Sequence, residues 1–161
     1  MPGMVWKPDV TVAAVAERDG RFLLVEERAS GRVVINQPAG HLEDGESFLD
    51  AVVRETLEET AWQFEPQAVV GVYVWRPVHL SRTFLRVAFA GELRSHDPAR
   101  SLDHGILRTR WLGRDQLAAP QARLRSPMVL QCVDDYLAGV RHPLSLISHL
   151  IQAPSSLAAS G

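Results

Sequence analysis

Several kinds of residue and pattern are scarce in this 161-residue sequence. A single cysteine, Cys132, excludes an internal disulfide framework and any zinc or iron–sulfur site built on several cysteines. No hydrophobic run reaches the roughly 18–20 residues that a membrane span needs. The N-terminal MPGMVWKPDV also lacks the basic and then apolar order of a signal peptide. We therefore expect a cytoplasmic protein that has no membrane partner.

Other absences narrow the classes of function. There is no basic stripe interleaved with aromatic residues, which argues against DNA or RNA binding as the main role. Neither a serine–histidine–aspartate order nor a P-loop glycine–lysine motif occurs, so covalent serine chemistry and P-loop chemistry have no support. Lysine occurs once, at Lys7, against sixteen arginines. Arginine is better suited than lysine to bidentate hydrogen bonding with phosphate.

The net charge of −2 conceals an uneven distribution of charge. The segment from Glu43 to Glu59 contains seven acids and one base and so carries −6, whereas the rest of the chain carries +4. Most charge runs are solvated helix faces. The alternative is a cation site beside a surface that accepts an anion.

Strand and helix patterns are mixed along the chain, without an internal repeat or a linker between domains. Strands are expected over residues 10–16, 22–25, 33–35, 68–75, 84–93 and 106–112, with a hairpin turn at Asp19-Gly20 and a polar loop over 28–31. Helices are expected from Ser47 to about Thr60 and from Ser126 to about Ala138. This order indicates an α/β or α+β sandwich. We expect one domain over residues 1–150 and a flexible tail over 151–161.

The first of these helices places three glutamates on one face. At about 100° per residue, Glu55, Glu58 and Glu59 fall within an arc of roughly 100°, apart from a mostly apolar arc. Three like charges at this spacing repel one another and cost helix stability. A bound cation would account for that cost, and carboxylate oxygens are hard ligands suited to Mg²⁺ or Mn²⁺.

A longer pattern surrounds these glutamates. Gly40 is followed by five residues and Glu46, then by seven residues and Arg54-Glu55, and then by Glu58-Glu59. This pattern resembles the Nudix box, a loop–helix–loop motif that has these residue types at this spacing.

The match departs from the box at two positions. Thr56 stands where an aliphatic residue is common, and Ala61 replaces the closing glycine. Ala61 would strain the turn that leaves the helix if that turn requires a positive φ. Beyond the box, INQPAGHLEDGES, TFLRVAFAGEL and LRSPMVLQCVDDYLAGVRHPL resemble the NudJ-like phosphatase subgroup, and the similarity covers about residues 7–147.

The resemblance implies a Nudix fold, an α/β/α sandwich with a mixed central β-sheet. It also implies a metal-dependent hydrolase of nucleoside tri- and diphosphates and thiamine-related pyrophosphates, acting by water attack on phosphorus. Mg²⁺ would be the cofactor, with Mn²⁺ as a substitute. The implied site residues are Glu58 and Glu59 as central metal ligands, Glu55 as a further ligand or the general base, the Gly40 carbonyl as a ligand, and Arg54 and Glu46 as orienting groups.

Candidates outside the box are weaker. Family members often supply a distant acid, for which Asp103 is the candidate here, although the neighbouring His104 leaves its identity open. Arg28, Arg32 and Arg82 lie in predicted loops and could hold phosphate oxygens. His41 adjoins the box glycine and could contact substrate. Of the aromatic residues Trp6, Tyr73, Trp75 and Phe84, we expect at most one to stack on a substrate ring, because most strand aromatics are core.

Two other functions remain open at this point. The box binds metal and phosphate, so it does not distinguish these substrates from a dinucleoside polyphosphate, a nucleotide sugar or a capped RNA. A domain that senses a nucleotide without catalysis is the alternative from another class, but box acids are usually lost in such domains. In each case the partner is a small nucleotide or pyrophosphate, and the sequence does not decide between a monomer and a homodimer.

Overall fold

The computed structural model describes residues 3–152. The strands are β1 (Asp9–Val15), β2 (Glu17–Arg18), β3 (Arg21–Ala29), β4 (Arg32–Asn36), β5 (Ala39–His41), β6 (Trp62–Trp75), β7 (Phe84–His96) and β8 (Ile106–Gly113). The helices are α1 (Phe48–Thr60), α2 (Arg114–Ala118) and α3 (Pro127–Leu137), followed by a 3₁₀ turn over Leu144–Leu146. No helix in this range is long and apolar enough to cross a membrane. Of the tail predicted over 151–161, all but the first two residues lie outside the described residues.

The strands form two sheets. The first has the order β5-β1-β7-β6, with β1 and β7 parallel and the other neighbours antiparallel. In the second, β3 pairs antiparallel with β2, β4 and β8. The first sheet confirms the predicted mixed-sheet fold class. The separation into two sheets was not predicted, because hydrophobic periodicity shows which residues are buried but not which strands pair.

Strand β1 contributes to a core on each face of the mixed sheet. Ala13 belongs to a buried cluster that includes Val133 of α3, whereas Val12 belongs to a second cluster that includes Val52 of α1. Successive side chains of a strand point to opposite faces. Helices α1 and α3 therefore cover opposite faces of the sheet, as in a sandwich of three layers.

The predicted polar loop over residues 28–31 needs correction. Strand β3 continues to Ala29, and only Ser30 and Gly31, both with positive φ, form the turn into β4. Arg28 and Arg32 therefore lie in paired strands instead of a loop. The polar composition was misleading because a tight hairpin needs only two residues to reverse the chain.

Both ends of helix α1 agree with the sequence. The Ser47 hydroxyl accepts a hydrogen bond of 3.0 Å from the Asp50 N–H, which confirms the predicted N-cap. At the other end Ala61 adopts a left-handed conformation with φ +61°, and its N–H donates to the Leu57 carbonyl at 2.9 Å. The turn that leaves the helix thus requires the positive φ for which the closing glycine of the box is suited.

Candidate active site

Arg54 lies at the centre of a group of acids. Its Nε and Nη2 donate to the two carboxylate oxygens of Glu46 at 2.7 and 3.0 Å. Its Nη1 donates to Glu55 Oε1 at 2.8 Å and to Glu58 Oε2 at 3.2 Å. The bond to Glu46 is the main cause that raises the pKa of Arg54, and the same contact holds the pKa of Glu46 below its ordinary value. Arg54 and Glu46 thus form a charged pair in contact with two of the predicted metal ligands.

The Arg54 guanidinium also connects helix α1 to the segment before it. Nη2 donates to the backbone carbonyl of His41 at 3.1 Å. In the same segment, the Glu43 N–H donates to Glu46 Oε1 at 3.1 Å. These contacts hold β5 and the following loop against the acidic face of the helix.

Glu55 packs directly against Gly40. A β-carbon at position 40 would overlap the Glu55 carboxyl group, so residue 40 is a glycine for reasons of space. Burial raises the pKa of Glu55, although the hydrogen bond from Arg54 opposes that effect.

Three carboxylates converge near this contact. Ligand atoms of Glu55, Glu58 and Asp103 all lie within 4.8 Å of one another, and we call these residues the acidic cluster. Asp103 comes from the loop between β7 and β8, and its N–H donates to the Glu58 carbonyl at 3.0 Å. Like charges this close repel, whereas hard oxygen donors in such a set fit a divalent cation. The predicted distant acid, Asp103, is therefore brought to two of the box glutamates, while its neighbour His104 is exposed and outside the acidic cluster.

Glu59 occupies a separate, interior position. Only 4% of its surface is exposed, and Oε1 accepts a hydrogen bond of 2.9 Å from the Ala39 N–H. Burial raises the pKa of Glu59 to about 9; the bond from Ala39 opposes the shift, and the charges of Glu27, Glu55 and Asp103 add to it. A cation bound beside this carboxyl group would favour its ionised form.

A cavity of about 140 Å³ lies beside Gly40. Its lining includes Ala39, Gly40 and His41 of β5 together with Trp75, Phe84 and Arg86. The rings of Trp75 and Phe84 stack with centroids 5.8 Å apart and planes inclined by 26°. Two of the four candidate aromatic residues therefore line the cavity, where the sequence predicted at most one beside a substrate.

Some of the predicted substrate contacts line the cavity and others do not. His41 and Phe84 line the cavity. Arg82 is outside the lining, and its guanidinium lies over the Phe84 ring at 5.1 Å from the centroid. Arg28 and Arg32 are exposed on the β3–β4 hairpin and do not line the cavity.

Two charged residues of the site were missed from the sequence. Glu27 in β3 and Arg86 in β7 are buried. Arg86 lies within a predicted strand, and Glu27 lies just beyond one. Glu27 Oε1 accepts hydrogen bonds from Arg125 Nη1 at 2.6 Å and Asn36 Nδ2 at 3.3 Å. For Arg86 the available signal was a charged residue among apolar neighbours in a strand, since such residues are rarely buried without a partner. Glu27 stands between Glu26 and Arg28 and gave no such signal.

Comparisons with known proteins agree with this arrangement. The NUDIX domain family model matches residues 6–131. Phosphatase NudJ from Escherichia coli K12 is 39% identical over 144 residues, which cover 89% of this chain and 92% of that protein. The solved structure of a NUDIX hydrolase from Nitrosomonas europaea is 49% identical, with a TM-score of 0.84 over 88% of this chain and 97% of the other.

More distant structures share the fold alone. The NUDIX domain of Shewanella oneidensis NrtR, solved in complex with ADP ribose, is 18% identical to this chain. It matches with a TM-score of 0.66 over 84% of this chain and 90% of that domain.

Proposed function

This chain belongs to the Nudix family and is a hydrolase of phosphoric anhydride bonds, and from this premise we propose that it cleaves nucleoside tri- and diphosphates and thiamine-related pyrophosphates, with Mg²⁺ as cofactor. Mn²⁺ would substitute for Mg²⁺, since both prefer oxygen ligands. The acidic cluster beside the cavity is the observation that carries the proposal. The similarity to a phosphatase over most of both chains also supports it.

Glu55, Glu58 and Asp103 would hold the divalent ion, joined by Glu59 and the Gly40 carbonyl as the box implies. When bound, such an ion offsets negative charge on phosphate oxygens and lowers the pKa of a water molecule. The three oxygen donors of the acidic cluster fit a hard cation, and their mutual repulsion favours its binding.

The chain's own residues would then do three things. Arg54 holds Glu55 and Glu58 in place through its Nη1 contacts, and Glu46 fixes Arg54 through two hydrogen bonds. A water molecule attacks phosphorus, a P–O bond of the anhydride breaks, and a carboxylate accepts the proton of the water. Glu55, which packs against Gly40 where the acidic cluster meets the cavity, is the candidate for that last role if it is not itself a metal ligand.

The cavity would receive the part of the substrate that is not phosphate. Its aromatic pair offers a stacking surface, and His41 lies at its edge with most of its side chain exposed. These features support a small nucleotide or pyrophosphate as the partner. A cytoplasmic location stays a prediction from the sequence.

A phosphate-release screen of the purified protein tests the proposal. The panel contains nucleoside tri- and diphosphates, diadenosine polyphosphate, ADP-ribose, capped RNA and thiamine diphosphate, each with Mg²⁺, Mn²⁺ or EDTA. We expect orthophosphate from the first and last classes, only with metal. Glu58→Gln should abolish release, because it removes one carboxylate of the acidic cluster. Asp50→Asn, an exposed acid on the same helix, should retain it.

Other outcomes would point to the alternatives. Release of a mononucleotide from ADP-ribose or diadenosine polyphosphate alone would favour another diphosphate-linked substrate. Metal-dependent binding without turnover of any compound would favour a nucleotide-sensing domain. Activity of Glu58→Gln equal to the wild type would overturn the metal assignment.

A further inference from the structure

The cavity beside Gly40 is small. Pockets that hold drug-sized ligands measure about 300–1,000 Å³, and this one measures about 140 Å³. It therefore has room for one ring system and not for a second nucleotide. The stacked rings of Trp75 and Phe84 line it and provide a flat apolar surface.

Two arginines line the cavity: Arg125, which donates to Glu27 at 2.6 Å, and the more deeply buried Arg86. It lies on the central strand β7, paired with Thr11 of β1 and Tyr73 of β6, and it is 4% exposed. Its Nη1 donates to Gln37 Oε1 at 2.7 Å and its Nη2 to Asn36 Oδ1 at 2.8 Å. The two amides thus hold the guanidinium in one orientation within the sheet.

The amides are themselves fixed. Gln37 Nε2 donates to the Val129 carbonyl at 2.7 Å, and Asn36 Nδ2 donates to Glu27 Oε1 at 3.3 Å. Because both NH₂ groups are engaged elsewhere, the amide oxygens are the atoms that face Arg86.

Arg86 is left with donors and charge that these neutral partners do not satisfy. A guanidinium has five N–H donors, and two are engaged by the amides. Its Nε has no hydrogen-bond partner within residues 3–152, and in that range no carboxylate forms an ion pair with Arg86. Burying unpaired donors and charge is costly. Because Nε itself is enclosed, an acceptor supplied by a ligand in the cavity would reduce that cost through the second N–H of Nη1 or Nη2.

We propose that Arg86 is a specificity-determining residue that selects substrates whose ring presents hydrogen-bond acceptors to it. The inference rests on the proposed hydrolysis of nucleotides and names the base they carry. It also ranks thiamine-related pyrophosphates, whose pyrimidine ring carries an amino group, as poorer substrates than the oxo nucleotides. Arginine has no acceptor, so an amino group on the ring edge meets a second donor and is disfavoured. Guanine presents O6 and N7 as acceptors, whereas adenine presents an amino group beside N7; uracil and cytosine differ in the same way at position 4.

The test compares kcat/KM for GTP with ATP and for UTP with CTP. We expect the oxo member of each pair to be favoured at least about tenfold, the scale of one good arginine–base contact. Arg86→Gln should reduce both ratios to near one. A merely structural role would lower all four values together and leave the ratios unchanged. Arg94→Gln, an exposed arginine of the same strand, is the matched control and should keep the wild-type ratios.

A second variant and a binding measurement cover the remaining cases. If Arg86→Gln does not fold, Arg86→Lys retains the charge without the planar fork and should still lose most of the discrimination. Equal ratios in the wild type, or unchanged ratios in a folded variant, would overturn the inference while the proposed hydrolysis stands. If no nucleotide is cleaved, the proposed function fails, and calorimetric titration with GMP and AMP decides the inference separately. Tighter binding of GMP by about tenfold would support it, and equal or absent binding would overturn it.

Discussion

The carboxyl group of Glu55 occupies the space beside Gly40 that a β-carbon at position 40 would fill. The glutamate belongs to helix α1 and the glycine to the short strand β5, so the contact joins two elements of the box. It also connects two parts of the site, since Glu55 belongs to the acidic cluster and Gly40 lines the cavity.

Gly40→Ala should therefore impair catalysis much more than stability. The added methyl group displaces the Glu55 carboxyl, and misplacing a catalytic group by about 1 Å can cost ~100-fold in rate. We expect at least a tenfold loss of kcat with a melting temperature close to wild type, since the overlapped atoms end a flexible side chain. Gly113→Ala, with φ −78° and ordinary contacts, should change neither. Full activity of Gly40→Ala would contradict the packing argument.

Arg54→Lys should weaken both stability and turnover. Lysine cannot reproduce the paired donors that reach both oxygens of Glu46 and also Glu55. We expect the free energy of unfolding in urea to fall by about 1.5–3 kcal/mol, the scale of hydrogen bonds to charged groups. Arg94→Lys, which alters an exposed pair with Glu65, should cost less than about 0.5 kcal/mol. Equal losses at positions 54 and 94 would argue against a special role for Arg54.

The buried Glu59 should make the metal-free protein less stable as pH rises. Its pKa is about 9 when folded and near 4.5 when unfolded, so between these values the unfolded state releases a proton that the folded state retains. In EDTA the free energy of unfolding should fall between pH 5 and 9, by at most ~1.4 kcal/mol per pH unit from this group. The melting temperature should fall with it.

Glu59→Gln should flatten that dependence, because the amide does not titrate. Glu65→Gln changes an exposed glutamate and should leave the slope in place. Added Mg²⁺ should raise the melting temperature more at pH 8.5 than at pH 6, since carboxylates bind metal in the ionised form. A slope equal in wild type and Glu59→Gln would exclude Glu59 as its source.

Ala61→Gly should stabilise the protein. The left-handed conformation that Ala61 adopts costs an L-residue about 1–2 kcal/mol, whereas it costs glycine almost nothing. Part of that gain is offset by the greater freedom of glycine in the unfolded chain, so we expect a net increase of about 0.5–1 kcal/mol in urea unfolding. Ala119→Gly, at φ −67°, should instead destabilise by about 0.4–1 kcal/mol. A loss at both positions would contradict the strain at Ala61.

The parts of the site that depend on local sequence were predictable. Helix α1 follows from a serine cap, a 3.6-residue period and a required left-handed residue, all encoded within about fifteen positions. The spacing of Arg54, Glu55 and Glu58 on one helix fixes their proximity without knowledge of the rest of the fold.

The parts that depend on strand pairing were not predictable. Asp103 was a candidate only through the family resemblance, and it joins the acidic cluster because its loop reaches the backbone of Glu58, 45 positions earlier in the chain. Glu27 and Arg86 are adjacent to the site through the sheets that contain β3 and β7. Periodicity assigns such strand positions to the core or to the surface, but it does not show which residues distant in sequence lie next to them.

The parallel pairing of β1 with β7 has a consequence for how the chain folds. Asp9 pairs with Phe84 and Val15 with Ala90, so the pair encloses the whole acidic helix within a long loop of chain. Closing such a loop costs conformational entropy before the contacts between the two strands form and compensate for it. Pairings of this kind therefore form slowly. During synthesis the helix with its glutamates is complete before the strand that carries Arg86 has been made. The box glutamates can thus be brought together by residues close in sequence, whereas Asp103, the third acid of the acidic cluster, and Arg86 must await the closure of the sheet.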